Sequence, residues 1–251
     1  EDLPFRIAVK KNERLYGSSS LKKFSISRDQ DEYKSENYRQ LVDNPIMYAL
    51  PDTTSIELPN ISVRIASYSS TGKKLADSLA ISIAPLLKNQ SDYLDGNLAT
   101  DTYSFIVYHN DNTENESYLS DGLDHYQSTV VLMYSPLDME VLKAIVFHIA
   151  SHEFFHTVQP LGLHSYEIAD FDFSDPKFSQ HLWLYEGMTE YFTIHMRIKQ
   201  KMESLDDFLR VLEQKVSSMN EYSNNMPFTE FSKNVMDMPA VEGAAATALT
   251  R

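Results

Sequence analysis

Ser151-His152-Glu153-Phe154-Phe155-His156, followed downstream by Leu182-Trp183-Leu184-Tyr185-Glu186-Gly187, decides the reading of this chain. The first stretch is an HExxH pattern, in which two imidazoles four residues apart rise from one face of a helix. That spacing lets both rings reach one Zn²⁺ ion and leaves the glutamate beside the first free to act as a base. Glu186 offers a carboxylate as third ligand and leaves a fourth position open. Two histidines, one glutamate and an open position describe a catalytic zinc, whereas a structural zinc is closed by four protein ligands. The alternative is a pair of ordinary helix histidines. The surroundings argue against it, because Val141 to Phe155 (VLKAIVFHIASHEFF) reads as a strongly apolar helix. Imidazoles and a carboxylate buried on such an element need partners, and a metal supplies them.

Outward from this segment, a chain of 251 residues can bury a sizeable core. The formal net charge of −14 argues against a phosphate-binding surface, and nucleic-acid binding is disfavoured. Phe24 to Arg28 lies in the one conspicuously basic stretch, Lys10 to Lys34, which carries acids too. The chain has no cysteine, so it has neither thiolate ligands nor disulfides. Apolar runs such as Leu79 to Leu87 are interrupted and too short to span a bilayer.

Period-2 alternation predicts short strands at Phe5–Val9 and Lys23–Ser27. Ser55 to Tyr68 reads as a hairpin turning at Pro59-Asn60, and Gly72 to Leu87 as an amphipathic helix. Tyr103 to His109 and Ser128 to Tyr134 read as strands rich in β-branched and aromatic residues, joined by an acidic loop from Asn110 to Ser120. The second of these strands could pair with an extended peptide at an edge, or be a plain core strand. Pro160 is expected to close the HExxH helix. Helices follow at about Gln180 to Gln200, carrying Glu186, and from Ser204, an N-cap with Asp206 and Asp207 behind it, to Ser217. Glu190 lies one turn after Glu186 on the same face. It could orient His152 or His156 by accepting a hydrogen bond, or be a solvated helix acid. His148, a turn before His152, reads as a packed or hydrogen-bonded histidine.

HEFFH followed by LWLYEGMTEYF resembles the gluzincin peptidases, and more narrowly the glycyl aminopeptidase family. Three further pieces fit the narrower resemblance. Leu41-Val42-Asp43-Asn44-Pro45 is similar to a segment upstream of that family's catalytic domain, Asp121-Gly122-Leu123-Asp124-His125 to its GGLEH motif, and Ser204 to Leu212 to the helix after the third ligand. The resemblance implies one catalytic Zn²⁺ held by His152, His156 and Glu186. It implies that Glu153 takes a proton from the attacking water and delivers it to the leaving amine; orienting a ligand is the alternative role. It sets Asp124 at the substrate's α-ammonium, although Asp is one methylene shorter than the family's Glu and a turn acid is the plainer reading.

One departure stands out. Related gluzincins carry a YxKG motif whose tyrosine stabilises the oxyanion, and the nearest match here, Ala240-Val241-Glu242-Gly243-Ala244, has alanine in its place. Tyr185, Tyr191 or Tyr222 could substitute. The expected fold is α+β and zincin-like (thermolysin-like), with a short β-rich N-terminal segment at 1–45. A mixed sheet with the HExxH helix is expected at 46–157, and a helical subdomain carrying the third ligand at 158–251, whose end is read as truncated, as altered, or as a sign of damaged catalysis. The implied function is zinc-dependent release of small N-terminal residues, Gly or Ala, from peptides in an extracytoplasmic setting. A zinc endopeptidase, or a catalytically impaired peptide-binding relative, is the alternative.

Overall fold

The computed structural model describes residues 3–25, 27–111, 119–169, 171–173, 175–219 and 226–235. Most of the loop from Asn110 to Ser120, Tyr222 and the segment Ala240 to Ala244 lie outside the described residues. The chain divides into two compact units, one of Glu1–Lys88 with Leu98–Glu153, the other of Asn89–Asn97 with the residues from Phe154 on.

The first unit is built on sheets. Three small strands, β1 (Phe5–Lys10), β2 (Tyr16–Ser18) and β3 (Lys22–Ser25), precede β4 (Gln30–Ser35). A short helix α1 (Tyr38–Val42) and β5 (Met47–Ala49) follow. β4 is the centre of a three-stranded sheet in the order β1-β4-β3, and β2 pairs with β5. The sequence reading missed β4 because QDEYKS carries no apolar alternation. Its charges are answered one by one: Lys23 Nζ lies 2.9 Å from Asp31, and Arg6 pairs with Glu32. Tyr33, fully buried, is hydrogen-bonded at 3.2 Å to the hydroxyl of Tyr48.

Strands β6 (Thr53–Leu58), β7 (Ile61–Ser69), β8 (Thr102–Asn110), β9 (Leu119–His125) and β10 (Ser128–Tyr134) form the main sheet, in the order β6-β7-β8-β10-β9. β6 and β7 are the expected hairpin, turning at Pro59 and Asn60. β7 to β8 and β8 to β10 are parallel, whereas β9 runs antiparallel to β10. β8 is buried through most of its length, as its near-continuous apolar run requires of a strand covered on both faces. β10 is therefore interior, paired on both sides, and the edge belongs to β9, which carries Asp121 to His125. Of the two readings of the Ser128–Tyr134 strand, the plain core strand is the one this sheet order supports. Asp and Gly are turn-formers, so DGLDH does not read as a strand, yet pairing with β10 makes it one.

Helix α2 spans Ala76–Tyr93, displaced toward the C-terminus from its expected position at Gly72 to Leu87. Gly72 is left-handed (φ 72°), so the helix cannot begin there. It begins where the Asp52 carboxylate accepts hydrogen bonds from the backbone N–H of Leu75 at 2.8 Å and of Ala76 at 3.3 Å. Helix α3 (Met139–Glu153) starts where the Asp138 carboxylate accepts from Val141 N–H at 2.9 Å. Leu142, Val146 and Ala150, one helical turn apart, are buried, and α3 packs on β9 and β10. Full burial of each large aliphatic chain of this kind contributes roughly 1.5–3 kcal/mol.

The second unit is helical. After Glu153 the chain tightens into a 3₁₀ turn, Phe154–Thr157, so His156 sits on that turn and not on a continued α-helix. Pro160 has no N–H, and the carbonyl of His156 takes its hydrogen bond from Leu161 instead, at 3.1 Å. The Thr157 hydroxyl donates to the carbonyl of Phe154 at 2.7 Å and closes the turn. A single turn of helix, α4 (Tyr166–Ala169), leads to α5 (Leu182–Lys199), α6 (Leu205–Met219) and α7 (Phe228–Asn234). Ser204 caps α6 as expected: its hydroxyl accepts from Asp207 N–H at 3.2 Å while its own N–H donates to the Asp207 carboxylate. That bonding holds the Asp207 carboxyl below its ordinary range. α7 was not legible in the sequence. Phe228 stacks on Trp183 of α5 at 5.7 Å, and the Ser232 hydroxyl accepts from the backbone N–H of Trp183 at 3.0 Å.

Candidate metal centre

The C-terminal end of α3 delivers His152 and Glu153, both buried, and the 3₁₀ turn delivers His156, also buried. Glu186 lies one turn into α5, beside the buried Tyr185. The ligand atoms of His152, His156 and Glu186 all lie within 4.8 Å of one another. His156 Nε2 stands 3.7 Å from Glu186 Oε2. That is too long for a direct hydrogen bond. It is close to the edge of a tetrahedron around zinc, about 3.3–3.4 Å for ligands about 2.0–2.1 Å from the ion. Two imidazole nitrogens and one carboxylate oxygen form a donor set that suits zinc, with both imidazoles buried and the Glu186 carboxylate partly so. The residues present therefore fit the ion that the sequence implies.

The far side of His156 is occupied as a metal ligand's should be. Its Nδ1 lies 2.9 Å from the carbonyl of Gln159. A carbonyl only accepts, so Nδ1 carries the proton and Nε2 is left as the bare donor. No side-chain pattern could have announced this partner, because it is a backbone oxygen placed by the turn before Pro160. Glu190, the residue expected to orient an imidazole, has Lys215 Nζ of α6 at 2.6 Å from its Oε1. His148 is exposed on α3.

Glu153 is only 6 % exposed. Its carboxylate lies over Gly122 of β9: a Cβ there would stand 2.6 Å from Ile149 Cγ2 and 2.9 Å from Glu153 Oε1. Real Cβ atoms do not approach so closely. Gly122 is thus required for space, letting the end of α3 settle against the edge strand and seating the carboxylate. The sequence contained this glycine within the family-like segment but gave no sign of what it faces.

Asp124, two residues on and on the same face of β9, is exposed and stands opposite Thr129 of β10. The next residue, His125, has Nδ1 3.2 Å from Asp43 Oδ1, which ties the Leu41–Pro45 segment to the edge strand. Among the other tyrosines weighed as oxyanion donors, Tyr185 accepts the Ser165 N–H at 2.6 Å, and Tyr191 stacks on His195.

Residues 146–238 match the model of the M61 glycyl aminopeptidase family. An aminopeptidase N family protein from Idiomarina loihiensis superposes with a TM-score of 0.73 at 19 % identity, over 92 % of this chain and 40 % of its own. An M1 zinc metallopeptidase from Deinococcus radiodurans superposes with a TM-score of 0.51 at 12 % identity, over 90 % of this chain and 46 % of its own. This chain therefore spans less than half the length of either structure. No curated protein sequence matches it. No described helix is long and apolar enough to cross a membrane. The mixed helix-and-sheet fold is like that of these two structures, and the resemblance to glycyl aminopeptidases holds over residues 146–238.

Proposed function

We propose that the chain is the catalytic part of a zinc-dependent metallopeptidase, an aminopeptidase that releases small N-terminal residues such as glycine or alanine. The observation that carries this reading is the group His152, His156 and Glu186, with ligand atoms within 4.8 Å of one another and the buried Glu153 adjoining the first of them. The matches to a glycyl aminopeptidase family and to zinc-metallopeptidase folds support it.

His152, His156 and Glu186 would hold one zinc ion, with the Gln159 carbonyl fixing the tautomer of His156. Bound there, zinc supplies a Lewis acid that polarises the scissile carbonyl and makes water acidic enough to attack at neutral pH. Glu153 takes the proton from the attacking water and returns it to the leaving amine. Gly122 fixes where that carboxylate waits. Asp124 pairs with the free α-ammonium of the substrate, and Glu190 helps to orient His152. An extracytoplasmic setting goes with the same family resemblance.

Metal analysis together with hydrolysis of glycyl and alanyl amides tests the reading. The expected result is one zinc per chain and turnover abolished by a chelator, with Glu186→Ala losing the metal on dialysis. A protein that binds no zinc, or a Glu186→Ala variant that keeps a full complement, would overturn it.

A further inference from the structure

We propose that Tyr103 is a positioning residue that holds the Asp124 carboxylate in place for the α-ammonium of the substrate, an inference that rests on the aminopeptidase reading above. Tyr103 is the second residue of β8 and is 1 % exposed. Its hydroxyl lies 2.7 Å from the hydroxyl of Thr129, a fully buried residue of β10. Thr129 stands directly opposite Asp124 in the β9–β10 register, and Tyr103 reaches Thr129 diagonally, from two residues before its β8 register partner Phe105. The same phenol lies 3.4 Å from the carbonyl of Glu153, the last residue of α3.

A phenol has one hydrogen to give, and the arrangement decides where it goes. The threonine hydroxyl can donate to the phenol oxygen, which leaves the phenol's one hydrogen between the Glu153 carbonyl at 3.4 Å and the Asp124 carboxylate, and the charged carboxylate is the stronger acceptor. Burial, and then the nearby charges of Asp124 and Glu153, push the phenol well above its ordinary range, so it keeps its proton and remains a donor. A neutral donor bound to an ionised carboxylate makes a charge-assisted hydrogen bond, about twice as strong as a neutral one. One carboxylate oxygen is then tied down toward the sheet, and the other is left for the incoming ammonium. The tether matters more for an aspartate than for a longer acid, because a short side chain set at the wrong angle cannot reach out and correct itself. Tyr103 thereby links specificity on the edge strand to the end of the helix that carries the proposed base.

Tyr103→Phe removes one oxygen and keeps the ring, and it tests the assignment against paired free-amino and N-acetylated alanyl substrates. The expected result is a KM about tenfold higher for the free-amino substrate, with kcat within about twofold and the acetylated substrate unaffected. In an Asp124→Asn background the same substitution should add nothing, since the two residues act as one unit. Thr129→Val, which removes the hydroxyl behind the phenol, should move KM in the same direction by less. Equal effects on both substrates, or additive effects with Asp124→Asn, would overturn the assignment. A wild-type protein that hydrolyses acetylated peptides as readily as free ones would sink it while leaving the peptidase reading intact. If neither substrate is turned over, the peptidase reading fails by itself. The dissociation constants of the two peptides, from NMR titration, then decide for Tyr103: a free-amine preference lost in Tyr103→Phe supports it, and no preference in the wild type refutes it.

Discussion

The end of α3 and the edge strand β9 contribute to the proposed chemistry in opposite ways. At the helix end and on α5 the side chains are the specification: two imidazoles and two carboxylates, each chosen for what its donor atoms can do. On β9 much of the specification is an absence, since Gly122 serves by having no Cβ where Ile149 and Glu153 come down. A site needs donors and also the room to seat them. Chemistry of the first kind leaves a motif in the sequence, whereas space leaves a glycine that looks like any other.

The contrast can be broken most forcefully at Glu153. Glu153→Gln keeps the shape and removes the base, and kcat for an alanyl amide should fall by about a hundredfold to ten-thousandfold. Zinc content should not change, because this residue is not among the three ligands. Unchanged turnover would remove Glu153 from the chemistry. Gly122→Ala comes next. The added methyl must push back Ile149 or the Glu153 carboxylate, so stability should drop by about 1–3 kcal/mol. Displacing the base by a fraction of an ångström should lower kcat by about ten- to a hundredfold. Urea unfolding read beside single-turnover rates separates the two effects, and a variant with neither would show that the close approach is idle. The smallest effect belongs to Asp124→Asn, which should raise KM for free-amino peptides about tenfold and leave acetylated ones alone. An equal rise for both would detach Asp124 from recognition of the N-terminus.

The same contrast explains what could be read in advance. The HExxH pair, the third carboxylate, the apolar strands β8 and β10 and the Ser204 cap all announce themselves through residue type and spacing. β4 did not, because its charged and polar side chains are answered from other strands: Arg6 for Glu32, Tyr48 for Tyr33. The edge position of β9 has a related origin, since which strand lies outermost is a property of the whole sheet and not of its segment. α7 was missed because its seven residues are shorter than two helical repeats and take their stability from Trp183. Pro160 announces where the helix must stop, whereas the change from α-helix to 3₁₀ turn already at Phe154 is announced by no residue type in the segment.

Asp52 shows how far such dependence extends. Its carboxylate starts α2 from a position twenty-four residues before Ala76, and it also bonds the Ser67 hydroxyl on β7. The first turn of a helix is the costly one to form. Here the group that satisfies that turn arrives only after the β6–β7 hairpin has closed. A peptide covering α2 alone should therefore show little helicity in water. In the intact chain the helix should gain hydrogen-exchange protection together with the hairpin, so that the two appear and melt as a single cooperative unit.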